Sequence, residues 1–70
     1  MYKNANAEFA RGDIDLDMIA ERIGRSYNTT RLKLKGEYPL TLVEAKRIQA
    51  LIHEVNGRFI PLEELFEEAG

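Results

Sequence analysis

Residues 16–36, LDMIAERIGRSYNTTRLKLKG, constrain the fold most, because two short helical patterns meet there at a glycine. Leu16, Ile19, Ala20 and Ile23 fall at i, i+3, i+4 and i+7, which gathers them into one apolar stripe along a helix. Asp15 stands just before them, where a carboxylate accepts from the free amides of the first turn and suits the positive end of the helix dipole. Gly24 supplies the residue best able to take positive φ where that helix stops. Ser26 then caps a second helix, predicted over residues 27–35 and closed by Gly36. Two helices joined by so short a turn read as a helix-turn-helix.

On the second helix Thr30 and Leu34, four apart, form a modest core stripe with Tyr27 at its border. Asn28, Arg31, Leu32 and Lys35 point roughly the other way, so the outer face is polar and basic. Between positions 22 and 35 lie five positive residues, Arg22, Arg25, Arg31, Lys33 and Lys35, and no acidic one, although the whole chain is net negative at -2. Segregation of this kind points to an anionic partner.

Ile19-Ala20, Ile23-Gly24, Ser26, Thr29 and Leu34 before Gly36 together resemble the DNA-binding domain of the phage repressor and Cro family, the xenobiotic-response-element type of regulator. The resemblance runs over nearly the whole chain. It implies an all-α fold, a compact five-helix bundle of the lambda-repressor-like helix-turn-helix kind, with the third helix in the DNA major groove. It also implies a small residue where two helices cross, matched by Ala20, and a glycine in the turn, matched by Gly24. Base readout falls by resemblance on Tyr27, Asn28 and Leu32. Phosphate contacts fall nearby, on Arg25, Arg31, Lys33 and Lys35. Three residues depart from the family pattern. Arg25 stands where an aliphatic side chain usually packs into the turn, and is expected to turn outward to phosphate. Leu16 replaces a polar residue, often glutamine, that commonly holds the DNA backbone. Leu32 replaces a usually polar reader, and three roles stand open for it: touching a thymine methyl, binding a protein, or packing internally. Asn28 is the sharpest candidate reader, since an asparagine amide can pair with adenine through two hydrogen bonds.

Around this unit, residues 1–4 read as a loose start, with Asn4 or Asn6 capping a first helix that carries Ala7, Phe9 and Ala10 as far as Gly12. Phe9 is the expected core anchor. Asp13, Asp15 and Asp17 alternate with Ile14 and Leu16, but the run is too short for a strand and lacks the further ligands of a calcium loop. After the connection 37–40, Thr41 and Glu44 have the spacing of a reciprocal capping box. A fourth helix follows, with Ala45, Ile48, Leu51, Ile52 and Val55 inward and Asn56-Gly57 as its stop. Pro61 suits a first helical turn, and Leu62, Leu65, Phe66 and Ala69 give a fifth helix its stripe. Phe59, Leu62 and Phe66 are the expected pairing surface of a homodimer on DNA.

Seventy residues make a single domain spanning 1–70, near the lower size at which a helical core folds without staples. The absence of Cys removes disulfide and zinc-thiolate frameworks and fits a reducing cytoplasm. No apolar run approaches the roughly 20 residues of a membrane span. His53 is the only histidine, and no nucleophile, base and oxyanion donor converge in the sequence, so an enzyme is not expected; nor is a cofactor, metal or small-molecule substrate. A sequence pI near 5.3 counts against indiscriminate nucleic-acid binding and leaves the local basic face to supply any affinity. The expected partner is a palindromic double-stranded DNA operator, bound by a transcriptional regulator. A module that keeps the helix-turn-helix but binds a protein, as an adaptor, inhibitor or antitoxin, is the competing expectation, favoured by Leu16, Leu32 and the acidic residues of positions 13–17.

Overall fold

Local capping chemistry sets where each helix begins and ends. In the computed structural model, which describes residues 2–68, the elements are α1 (Lys3–Arg11), α2 (Leu16–Ile23), α3 (Tyr27–Leu34), α4 (Leu42–Asn56) and α5 (Leu62–Leu65). The fold is all-α, with no strand among the described residues. A lone antiparallel bridge between Tyr2 and Glu68 ties the two ends together.

Asp15 Oδ1 accepts from the Met18 amide at 2.9 Å and opens α2. Gly24 closes it at φ 72°, and the amides of Gly24 and Arg25 both donate to the Ala20 carbonyl, which satisfies the carbonyl that the helix end would leave free. Ser26 Oγ accepts from the Thr29 amide at 3.2 Å and opens α3 only three residues later. Thr41 and Glu44 form the full reciprocal box at the start of α4.

The first helix departs from expectation. Neither Asn4 nor Asn6 caps it; Tyr2 holds the N-cap position without a side-chain bond. Asn4 lies inside α1 and its amide donates to the Glu64 carbonyl at 2.7 Å, fastening α1 to α5. Tyr2 is buried and meets Phe66 edge-on at 5.3 Å, so residues 2–4 are anchored rather than loose. The buried stripe of α1 is Tyr2, Ala5 and Phe9, while Ala7 and Ala10 are exposed.

Ile19, Ile48, Ile52 and Leu65 form the fully enclosed centre, joined by Ala5, Phe9, Ile14, Ile23, Leu34 and Leu51. α2 packs against both α3 and α4, and α5 packs against α1 and α4. Val55, expected in this stripe, is 43% exposed. Asn56 takes the inward position instead, and its amide donates to the Glu8 carbonyl at 2.9 Å and to Glu8 Oε1 at 3.1 Å. Gly12 permits that approach: a Cβ there would lie 2.2 Å from Asn56 Oδ1. α5 is a single turn, with Pro61 at its N-cap rather than inside it; Ala69 lies outside the described residues.

Candidate nucleic-acid interface

The turn 24–26 fixes how α3 presents its two sides. Thr30, Lys33 and Leu34 face inward and are buried. Tyr27, 51% exposed, and Asn28 and Lys35 face solvent, with Arg31 and Leu32 half-buried between the two sides. Asn28 and Arg31 lie three apart on one face, and Arg31 Nη2 donates to Asn28 Oδ1 at 2.9 Å. Leu32 is not among the half-buried residues packed against the core, whereas Leu16 is, which gives Leu16 a packing role in place of a DNA contact.

The four expected phosphate-binding cations fall into three cases. Lys33 is corrected: it is only 8% exposed, and its Nζ donates to Glu44 Oε1 at 2.9 Å and to the Pro39 carbonyl at 2.8 Å. An ammonium so enclosed uses two of its three donors inside the fold and reaches a phosphate only by unmaking the link between α3 and α4. Arg25 is intermediate. Its Nε donates to Glu44 Oε2 at 2.7 Å while half of its side chain stays exposed, so the carboxylate holds the guanidinium by one nitrogen. Arg31 and Lys35 complete the outer set, Lys35 with a loose exposed partner in Glu37 at 3.8 Å. Arg22, the remaining cation of this segment, is tied across to Glu54 on α4, and that guanidinium holds the Glu54 carboxyl below its usual range.

Glu44 is the pivot of this cluster. Burial alone would raise its pKa, but hydrogen bonds from Arg25, from the Thr41 amide and from Lys33, with the charge of Lys33, outweigh burial and hold it at about 2 against an ordinary 4.5. The anion is therefore permanent at neutral pH, and it joins the turn, α3 and the start of α4. In the sequence Glu44 stands out only as the second member of a capping box with Thr41. A signal for its larger role was present: Lys33 shares the inner face of α3 with Thr30 and Leu34, so it needed a buried counter-charge.

The three expected pairing residues are not brought into one patch. Phe59 is 66% exposed and sits apart, edge-on to His53 at 5.7 Å. Leu62 and Phe66 are half-buried and line a shallow groove with Leu40, Leu42 and Ala45. Leu42 and Val43, in the first turn of α4, are an exposed apolar pair, at 63% and 59%, that the helical period alone does not single out.

Among the described residues no cluster of His, Cys, Asp or Glu could hold a metal ion, and no helix is long and apolar enough to cross a membrane. Comparison with protein-family models, curated proteins and solved structures found no match to this chain. The functional reading therefore rests on the residues and their geometry.

Proposed function

We propose that the chain is a sequence-specific DNA-binding regulator, of the phage or prophage repressor and Cro-like type, with α2, the turn and α3 as its helix-turn-helix. One observation carries this reading: the outer side of α3 and its preceding turn display Tyr27, Asn28, Arg25, Arg31 and Lys35, with no acidic residue between positions 22 and 35 of a chain whose net charge is -2. α3 enters the major groove, with Tyr27, Asn28 and Leu32 toward base edges. Arg25 and Lys35 hold phosphates and set register and salt sensitivity, while Arg31, bonded to Asn28, stands beside the base readers. Two copies bind the two halves of a palindromic operator, paired through Leu62 and Phe66 with Leu42 beside them.

Selection from a random duplex library with the purified protein, at one stated salt concentration, tests the reading. Recovery of a single motif with two half-sites about one helical turn apart is the expected result. The exposed Leu42 and Val43 favour a second reading, a protein-binding adaptor, and recovery of no motif would select it over the first.

A further inference from the structure

Building on the DNA-binding reading, we infer that Asn28 and Arg31 act as one unit that presents donors to the groove and reads guanine, where an isolated asparagine would read adenine. The starting point is the 2.9 Å bond from Arg31 Nη2 to Asn28 Oδ1. An asparagine side chain carries one acceptor oxygen and two amide donors, and arginine carries donors only. Adenine offers an acceptor, N7, beside a donor, the N6 amino group, so a two-bond pair with asparagine uses both the amide oxygen and an amide N–H. Here that oxygen already receives the guanidinium. Its second lone pair is open, but an adenine amino group reaching it would arrive beside a cation, donor against donor. The cytosine amino group meets the same opposition.

Guanine presents O6 and N7, two acceptors on one edge. Asn28 Nδ2 and the remaining guanidinium donors match that edge in kind, and the positive charge suits its negative potential. Thymine offers one acceptor, O4, and matches half of the unit. The surroundings reinforce the choice. Ser26 Oγ accepts from the Thr29 amide, and Arg25 and Lys35 add only donors. The Tyr27 hydroxyl both donates and accepts, so it does not oppose guanine. Asn28 and Arg31 reach the groove together because they lie three apart on the exposed side of α3.

The test is competition binding of the full chain to its selected operator and to operators substituted at each base pair in turn, at one salt concentration. Wild type is compared with Asn28→Ala, Asn28→Asp, Arg31→Lys and the double variant Asn28→Ala/Arg31→Lys, each first shown to melt as wild type does. Guanine should be preferred at one position per half-site by about 5- to 150-fold. Asn28→Ala and Arg31→Lys should weaken preference at that same position, and the double variant should lose little more than the larger single loss. Asn28→Asp keeps the Arg31 partner but removes the amide donor, so it too should lose guanine preference; a purely structural Asn28 would tolerate it. Adenine preference abolished by Asn28→Ala, or losses at two separate positions, would overturn the paired reading while leaving DNA binding intact. Equal affinity for every duplex would overturn sequence-specific binding, and this inference with it.

Discussion

At the scale of single residues, Glu44 and Thr30 make opposite demands on the interior. The Glu44 carboxyl titrates at about 2 in the folded chain against an ordinary 4.5, because bonds from Arg25, Thr41 and Lys33 outweigh its burial. A folded value below the unfolded one gives stability that is complete above about pH 5 and is lost as pH falls toward 2. The stabilisation is on the order of 3 kcal/mol. Urea midpoints measured from pH 7 to pH 2 should therefore fall more steeply for wild type than for Glu44→Gln, with the excess confined below about pH 5. Parallel curves would show that the cluster contributes nothing through ionisation. Thr30 is fully buried and its hydroxyl has no hydrogen-bond partner among the described residues, so a valine of the same shape removes an unsatisfied group without opening a cavity. Thr30→Val should leave stability unchanged or raise it by up to about 1 kcal/mol. A lowered denaturation midpoint would reveal a bond to that hydroxyl.

At the scale of elements, α3 carries two kinds of cation, and salt dependence separates them. Replacing Lys35 with Ala should flatten the slope of log affinity against log salt by about 0.9. Arg25→Ala should do the same and also lower the melting temperature, since it strips one partner from Glu44. Lys33→Ala should leave the slope unchanged and destabilise the fold by about 3 kcal/mol, because a buried carboxylate loses its enclosed counter-charge. A flattened slope for the Lys33 variant would place that ammonium on DNA. Truncating Ile19 or Ile48 to Ala should cost about 2 to 4 kcal/mol, read from chemical denaturation, since both are enclosed where α2 crosses α4. The ends of α2, α3 and α4 were legible in the sequence because caps are local chemistry, written in Asp15, Ser26, Thr41, Gly24 and Gly57 within a few residues of where they act. The start of α1 was not, because Tyr2 and Asn4 are held by Phe66 and Glu64, partners brought close only by the completed fold. Val55 misled for a related reason: periodicity favoured the apolar side chain, and the polar Asn56 won the inward place through its bonds to Glu8. On the candidate site, the outward placing of Asn28 and Lys35 follows from the period of α3, whereas Tyr27, at the border of the core stripe by that period, is 51% exposed, and the fate of Lys33 depends on Glu44 across the connection.

At the scale of the whole molecule, charge and packing divide together. α3 packs on α2 and bears the outer cations, whereas α5 packs on α1 and α4 and displays Glu63, Glu64, Glu67 and Glu68 in and just beyond its single turn. An acidic end repels a phosphate backbone, which favours docking of a duplex on the outer side of α3 with α5 turned away from it. With one α3 per chain, a two-half-site operator should hold two chains, and sedimentation of protein with operator DNA should give that ratio. A single chain on the full site would contradict pairing. The central claim, that the outer face of α3 is where this protein meets DNA, is tested most directly by nitrogen-edited NMR of the labelled chain titrated with a short duplex at low salt. On a duplex carrying one half-site, which holds a single chain and no pair, amide shifts should concentrate on residues 25–35, spare residues 62–68, and fade as salt is raised. Shifts centred on α5, or none at any duplex concentration, would contradict it.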